Sequence, residues 1–342
     1  SQEAYKIIRL VNKFIYHRCD ASGQNIFKKI LFHWQNVFSN HHAQQLEGVL
    51  NEIKPDLVWS HNLSGFGWQA IKVISKLNYR HWHQIHDFQL INPFGTFLYS
   101  EQKKLIKLPL IFKLYSLLSK KLFTKTEMVI APSRFILDKH CDKGFFAKQK
   151  KEIIPNPVEN INSNVNYLDT TIAKKFLYIG QLEKYKGINT LLKAFSQIND
   201  NSLELRIVGQ GSLMSKCLQY AKKDQRIIVD GWQESASINN LINNCNVVLY
   251  PSECFENLPT VIIEAQSMAR PVVASNVGGT VEMIVSKESG FLVEAGNVIS
   301  WREMMLAISC GRYDLKKISN NAFVASKKYS TENYYKLLSN FL

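Results

Sequence analysis

Residues 247–265, with the sequence VVLYPSECFENLPTVIIEA, combine an apolar strand, a short loop and the start of a helix. The apolar run 247–250 predicts the strand. Pro259 is suited to begin the helix, since proline lacks only an amide that a first turn leaves unpaired. Glu256 precedes this helix and Glu264 lies inside it, about two turns further on. We therefore expect a corner with free helix amides and two carboxylates.

A corner of this kind can hold a phosphorylated sugar. Helix amides and the helix dipole attract the anion, and carboxylates accept hydrogen bonds from hydroxyls. From the spacing alone, a surface loop followed by an amphipathic helix with solvated glutamates is the alternative. A hydrolase fits less well, because its two acids would flank a glycosidic bond and one of them would have to stay protonated.

Around this corner, strand and helix patterns alternate from Lys175 to the end of the chain. Strands are predicted at 176–179, 203–208, 227–229, 247–250, 271–274 and 291–293, and helices at 188–198, 212–223, 235–243, 280–285 and in a final helical region. Such alternation with nearly continuous apolar strands predicts an α/β fold, in which helices cover both faces of a parallel sheet.

Small or acidic residues follow the predicted strand ends in this half: Gly180, Gly209, Gly231, Glu256 and Gly278. Ligands of open parallel sheets bind at the carboxyl ends of the strands. We therefore expect these residues to share one pocket.

The N-terminal half follows the same pattern less completely, with strands predicted at 56–60, 81–85, 127–131 and 153–155. The polar stretch 160–171 has the composition of a linker. We therefore predict two Rossmann-like domains, residues 1–165 and 170–328. Residues 329–342 have helical spacing, with Ser330 or Thr331 as the cap.

The composition is that of an ordinary globular protein. The chain has 342 residues, 46% hydrophobic and 20% charged, which suits two domains. Neither a signal peptide nor an apolar run of membrane-spanning length is evident. The six cysteines are scattered without CxxC pairs, which favours reduced thiols in the cytoplasm.

The formal net charge of +14 implies an anionic partner. No nucleic-acid-binding motif accompanies the charge, so we expect no nucleic acid. Residues 103–125, KKLIKLPLIFKLYSLLSKKLFTK, interleave lysines with apolar residues and contain no acid. They predict a basic amphipathic helix that lies at an anionic membrane surface. The alternative is a helix that packs on the core and exposes a solvated lysine face.

Several motifs in order give the chain a family resemblance. Gly180 to Gly187, GQLEKYKG, follows a strand and precedes a helix, and the glutamates at 256 and 264 have seven residues between them. The chain resembles the retaining glycosyltransferases of family 4, the group 1 transferases. The resemblance implies the GT-B fold, with two Rossmann-like domains facing a cleft, and a UDP- or GDP-sugar as donor. It also implies that Lys186 holds the donor diphosphate, while Gln181 stands where relatives carry arginine.

The resemblance assigns further donor contacts. Glu256 would contact hydroxyls of the transferred sugar and Glu264 those of the ribose. The amides of Asn257, Leu258 and Thr260 would reach sugar or phosphate oxygens. Gly180 and Gly209 form turns beside the nucleotide. Trp232 lies either against the nucleobase or in the core.

In the first domain, His61 and His86 follow two successive predicted strands. The resemblance makes His86 the cleft histidine that orients donor sugar or acceptor, with Asp87 as its neighbour. His81 and His83 lie within a strand and are interpreted as structural. The predicted catalytic residues are thus His86, Glu256 and Lys186.

No metal or cofactor is expected, because the chain lacks an Asp-x-Asp pair, an HExxH motif and a P-loop. Lys186, the helix amides and the helix dipole would then neutralise the leaving diphosphate.

One departure from the family concerns the N-terminus, where no strand is predicted before residue 56. We expect an incomplete N-terminal domain, from a fragment or a truncated reading frame. The predicted function is transfer of a hexose, with retention, to a glycan or lipid-linked glycan in cell-surface polysaccharide synthesis, including lipopolysaccharide. The alternatives are a truncated or degenerate transferase that binds nucleotide sugar without turnover, and a GT-B nucleotide-sugar epimerase.

Overall fold

The computed structural model describes residues 7–10, 14–16, 24–102, 107–159 and 165–342. The chain divides into two compact units. The first comprises residues 1–95, 108–131 and 136–153, and the second comprises residues 96–107, 132–135 and 154–342.

A four-stranded sheet forms the centre of the first unit. Its strands are β1 (Leu57–Ser60), β2 (Arg80–Gln84), β3 (Met128–Ala131) and β4 (Lys150–Ile153), in that order and all parallel. The helices are Ile26–Phe38, His41–Ile53, Gln69–Lys76, Leu110–Leu122 and Arg134–Asp142, the last belonging to this unit from Ile136 on. β3 is buried along its whole length. Because helices cover both faces of a parallel sheet, its sequence is apolar without interruption.

Two buried histidines on β2 lie within hydrogen-bonding distance of hydroxyl groups from neighbouring segments. The Ser60 hydroxyl lies 2.7 Å from His81 Nε2 and 2.8 Å from His83 Nδ1. Thr126 Oγ1 lies 3.0 Å from His81 Nδ1. Burial lowers the pKa of His81 to about 4 and that of His83 well below its usual value. Both imidazoles are therefore neutral members of the sheet core at neutral pH.

A six-stranded parallel sheet forms the centre of the second unit, in the order β10-β9-β8-β5-β6-β7. The strands are β5 (Lys175–Ile179), β6 (Glu204–Val208), β7 (Ile227–Gly231), β8 (Val247–Tyr250), β9 (Val272–Ser275) and β10 (Phe291–Val293). The α-helices are Ile188–Ser196, Met214–Lys223, Ser235–Asn244, Thr260–Ser267, Thr280–Met283, Val298–Ser309, Leu315–Ser326 and Thr331–Ser339. Short 3₁₀ turns cover Tyr99–Glu101, Lys184–Lys186 and Lys327–Tyr329.

Successive residues of these strands pack into different cores. Phe176 and Tyr178 of β5 belong to one apolar cluster, with Leu205 and Ile207 of β6. Leu177, between them, belongs to another cluster. Because side chains alternate across a strand, both faces of the sheet are covered, and this accounts for the nearly continuous apolar strands.

The strand order places a switch point between β5 and β8. From β5 the chain moves outward through β6 and β7, then returns to β8 on the other side of β5. The loops that leave β5 and β8 therefore start side by side, where open parallel sheets bind their ligands.

Most predicted elements of both halves are present, and several boundaries differ. The strand expected at 153–155 is wrong, because β4 ends at Ile153; Pro155 has no amide to donate to a ladder. Pro259 does not begin a helix: its ψ of 115° is extended, and the helix starts at Thr260. The helix expected from residue 212 starts at Met214. Ser330 caps the last helix and accepts from the amide of Asn333.

Two predicted segments lie partly outside the described residues. These are the linker, for residues 160–164, and the basic segment, for residues 103–106. Within the basic segment the helix spans Leu110–Leu122. Among the residues that the structure describes, no helix is long and apolar enough to cross a membrane.

Candidate active site

The loops that follow β5 and β8 pack closely against each other. Gly187 has a φ of 74°, and a Cβ there would collide with the backbone carbonyl of Pro251. The Glu253 amide donates to the Tyr185 carbonyl across the same contact, at 2.8 Å. A glycine at 187 thus lets one loop lie directly on the other.

This contact brings together the two charged residues that the sequence analysis singled out. Lys186 Nζ lies 2.6 Å from Glu256 Oε1. The same oxygen accepts from the Ser252 hydroxyl at 2.9 Å and from the Cys254 thiol at 3.2 Å. The two charged side chains are only 21% and 17% exposed. Lys186 and Glu256 therefore form a largely buried ion pair, and the carboxylate accepts two further hydrogen bonds.

Electrostatics keep both groups charged. Burial alone would raise the pKa of Glu256, but Lys186 and the hydrogen bonds from Lys186, Cys254 and Ser252 hold it below its usual value. Burial alone would lower the pKa of Lys186, but Glu256 raises it above its usual value. At neutral pH the corner therefore presents an ammonium beside a carboxylate.

The backbone after Glu256 is fixed by a glycine turn. The Gly279 amide donates to the Glu256 carbonyl at 2.8 Å, and a Cβ at Gly279 would collide with the Asn257 carbonyl. The Ser133 hydroxyl, in the same unit, donates to Asn257 Oδ1 at 2.6 Å. The Asn257 side chain thus braces the loop.

The next residues lead into the helix Thr260–Ser267. The Leu258 side chain is buried among the core residues, which leaves only its backbone to face a ligand. Helix amides of the first turn have no acceptor within the helix. One turn on, burial raises the pKa of Glu264, while a hydrogen bond from the Thr260 side chain opposes the shift. Thr260 and Glu264 thus lie on one helix face.

The other predicted residues of this unit lie on the loops after β5, β6 and β7. A Cβ at Gly209 would collide with the Gly180 carbonyl, so these two glycine turns touch. The exposed Gln181 accepts from the Tyr185 hydroxyl at 2.7 Å. Trp232 is 63% exposed, so the interpretation of a core tryptophan is wrong.

In the first unit, His61 and His86 follow β1 and β2 and face each other. His61 Nδ1 lies 3.0 Å from His86 Nε2, and the rings are inclined by 27°. Burial, with His86 beside it, lowers the pKa of His61. Asp87 accepts from the Gln89 amide at 2.8 Å.

Sequence reasoning missed the residues that support the pair. Ser252 and Cys254 alternate with Glu256 in a loop without helical turns, and this spacing of two could have identified them. Thr190, which donates to Glu253, had no comparable signal. In the part of the chain that the structure describes, no group of three His, Cys, Asp or Glu residues is arranged to hold a metal ion.

The chain is similar to known glycosyltransferases along most of its length. The sequence profile "Glycosyl transferases group 1" matches residues 173–309, and that of "Glycosyltransferase Family 4" matches residues 16–160. An uncharacterised 42.6 kDa protein in the cps region of Klebsiella pneumoniae is 28% identical over 280 residues, 81% of this chain and 72% of that protein.

Two further similar proteins have a stated function or ligand. The Staphylococcus aureus capsular polysaccharide biosynthesis glycosyltransferase CapM is 30% identical over 127 residues, 35% of this chain and 32% of CapM. The crystal structure of Anabaena HepE in complex with UDP superposes with a TM-score of 0.72 at 18% identity, covering 89% of this chain and 84% of HepE. The two profiles assign the chain to the group 1 glycosyltransferases of the family 4 type, and its two parallel-sheet units, with the structural match, show the GT-B fold.

Proposed function

We propose that the protein transfers a hexose from a UDP- or GDP-sugar to a glycan or lipid-linked glycan in cell-surface polysaccharide synthesis, with retention at the anomeric carbon. The observation that carries this proposal is the Lys186–Glu256 pair at the switch point of the second sheet. It offers a cation for a diphosphate and a carboxylate for sugar hydroxyls within one corner.

The chemistry of the pair suits a diphosphate leaving group. When a donor enters, its phosphate oxygens would compete with Glu256 for the Lys186 ammonium. A charge-assisted hydrogen bond of this kind contributes about 1.5–3 kcal/mol. The amides at the start of the helix Thr260–Ser267 and the helix dipole add to the positive field. We propose that these groups stabilise the charge that develops on the diphosphate, without a metal ion.

Each remaining residue has a proposed part in the same transfer. Glu256 would hold hydroxyls of the transferred sugar, and Glu264 those of the ribose. The exposed Trp232 would contact the nucleobase, and His86 of the first unit would orient the transferred sugar or the acceptor. The UDP bound to HepE and the capsular role of CapM support a nucleotide donor and a polysaccharide product.

A donor screen of the parent protein beside the Glu256→Ala variant tests the proposal. Radiolabelled UDP- and GDP-hexoses are incubated with an acceptor extract, and transfer is counted. We expect the parent to transfer one sugar and the variant to lose at least about 100-fold in rate. Full transfer by the variant would overturn the role of Glu256.

Product analysis separates the competing activities. Conversion of the labelled donor without an acceptor would indicate an epimerase, and UDP or GDP binding without turnover would indicate a degenerate transferase. An α-linked product from an α-linked donor is expected for retention, and inversion would contradict it. Addition of a chelator should leave the rate unchanged if no metal takes part.

A further inference from the structure

The first unit exposes an apolar face that a folded domain ordinarily buries. On the helix Ile26–Phe38 the exposed apolar residues are spaced by three and four positions, which puts them on one side of the helix. They are Phe27 (82% exposed), Ile30 (60%), Leu31 (42%), Trp34 (60%) and Phe38 (54%). Phe32 and Asn36, on the opposite side, are 3% exposed and hold the helix on the unit. The apolar stripe therefore points away from the core.

The helix Leu110–Leu122 repeats this arrangement. Its buried residues are Ser116, Ser119 and Leu122, while the other side carries large apolar side chains. These are Leu110 (74% exposed), Ile111 (71%), Leu114 (55%), Leu117 (46%) and Leu118 (54%). The usual amphipathic order is inverted, because the exposed side is more apolar than the buried one.

The two stripes belong to one surface. Phe94, itself 54% exposed, makes edge-on ring contacts with His33 of the first helix and Phe112 of the second, at centroid distances of 5.2 and 6.2 Å. A groove also joins the helices, with Phe38 on one wall and Leu118 on the other. We call this surface, from residues 27–38, Phe94 and residues 110–121, the two-helix face.

Positive charge surrounds the two-helix face. Neither helix contains an acidic residue. Exposed lysines lie on the helices and along the groove: Lys28, Lys72, Lys113, Lys121 and Lys125. An aromatic and aliphatic stripe bordered by lysines matches the surface of an anionic bilayer, where the outer edge of the hydrocarbon lies next to a layer of phosphates. A second copy of the chain fits less well, because it would bring the same lysines against one another.

We propose that the two-helix face docks on anionic phospholipid bilayers, with Phe27, Trp34, Ile111 and Leu114 entering the headgroup region. This extends the surface expected from the basic segment 103–125 to a second helix that sequence analysis did not single out. The inference is independent of sugar transfer, since it requires neither donor nor acceptor.

Vesicle co-sedimentation of the full chain tests the inference. Vesicles of phosphatidylcholine alone are compared with vesicles that contain phosphatidylglycerol, at low and high salt. We expect the protein to pellet with the anionic vesicles and to be released as salt screens the lysines. Equal binding to both vesicle types, or binding to neither, would overturn the proposal.

Matched variants assign the binding to this face. A Lys113→Ser, Lys121→Ser double variant should bind anionic vesicles about 25-fold more weakly, at about fivefold for each lysine. A Trp34→Ser, Leu114→Ser double variant should also lose binding. The controls are Lys222→Ser with Lys223→Ser and Val324→Ser with Tyr335→Ser, which alter exposed residues of the second unit. Equal losses in controls and test variants would contradict the proposal.

Circular dichroism checks that each variant keeps the parent's fold. Light scattering gives the mass of the protein without lipid. A dimer that the Trp34→Ser, Leu114→Ser variant converts to a monomer, together with no vesicle binding by the parent, would assign the face to a second copy instead.

Discussion

The two units share the alternation of strand and helix but differ in the outer faces of their helices. In the second unit, the helix Ile188–Ser196 buries six of its nine residues. In the first unit, the helix Ile26–Phe38 keeps Phe32 and Asn36 buried and turns an apolar stripe outward. The second unit places a charged pair, Lys186 and Glu256, on the loops after two neighbouring strands, whereas the first unit places apolar residues on a surface.

This difference shows that apolar periodicity does not by itself say which side of a helix is inside. Both helices would be read as core elements from their spacing. The two helices differ in the residues opposite the buried face. A helix that is apolar on both faces has more apolar surface than one sheet can cover. The surplus is then available for a partner.

The largest expected effect tests whether the helix Ile26–Phe38 has one buried face and one exposed face. Phe32→Ala removes a side chain that is 3% exposed and should lower the free energy of unfolding by about 3–5 kcal/mol, because it leaves a cavity. Trp34→Ala, on the exposed stripe, should change it by less than about 0.5 kcal/mol. Urea unfolding of both variants measures the difference. Similar losses in the two variants would mean that Trp34 packs on the core.

The next effect tests the packing that sets the site in the second unit. Gly187→Ala puts a Cβ against the Pro251 carbonyl at a φ of 74° and should cost about 2–4 kcal/mol of unfolding free energy. It should also weaken UDP binding, since Lys186 moves with the loop. Calorimetric titration and thermal unfolding measure the two effects.

Gly48→Ala in the first unit is the matched control for that change. Gly48 lies in the helix His41–Ile53, and an added Cβ would meet nothing within 4 Å beyond its chain neighbours and the backbone of its own helix. Alanine there should stabilise the protein by up to about 1 kcal/mol, because it favours the helix. An unchanged melting temperature for Gly187→Ala would contradict the close contact between the loops.

A smaller effect concerns pH and the buried histidines of the first unit. Burial lowers the pKa of His81 and that of His140 to about 4, from an ordinary 6.5. The unfolded chain therefore takes up protons first, and stability falls as the pH drops from about 6.5 towards about 4. Each histidine accounts for up to roughly 3 kcal/mol over this window.

The His140→Asn variant isolates one of these contributions. Its melting temperature should fall less steeply between about pH 6.5 and about pH 4 than that of the parent, because one buried imidazole is gone. The Glu256 carboxylate has a lowered pKa, so its contribution is lost only at lower pH. An equally steep fall in parent and variant would show that His140 does not carry the effect.

Much of the second unit could be predicted from its sequence. Most of its strands are apolar runs followed by a glycine or a glutamate, so the parallel sheet follows from general rules of α/β topology. The approach of Lys186 to Glu256 depends on the pairing of β5 with β8, which was not predicted. The predicted start of the helix, Pro259, is one residue too early, because proline is compatible with the position before a helix as well as with its first turn.

Other features could not be predicted, since they depend on contacts between distant segments. Asn257 is braced by Ser133, which is 124 residues away in the chain. The sequence is compatible with Trp232 as a core residue. In the structure it follows β7, which lies at the edge of the sheet, and its side chain is exposed. The outward stripe of residues 27–38 has the same periodicity as a buried one, so its spacing alone does not predict that it is exposed.

The pairing of β5 with β8 has a consequence for synthesis of the chain. Phe176 lies beside Val247 in the finished sheet, yet β6 and β7 leave the ribosome between these two strands. Until residue 250 has emerged, one edge of β5 has no neighbour, and until residue 256 has emerged, Lys186 lacks its carboxylate partner. Release or proteolytic cutting between β7 and β8 would therefore leave a β5-β6-β7 fragment with an open, aggregation-prone edge.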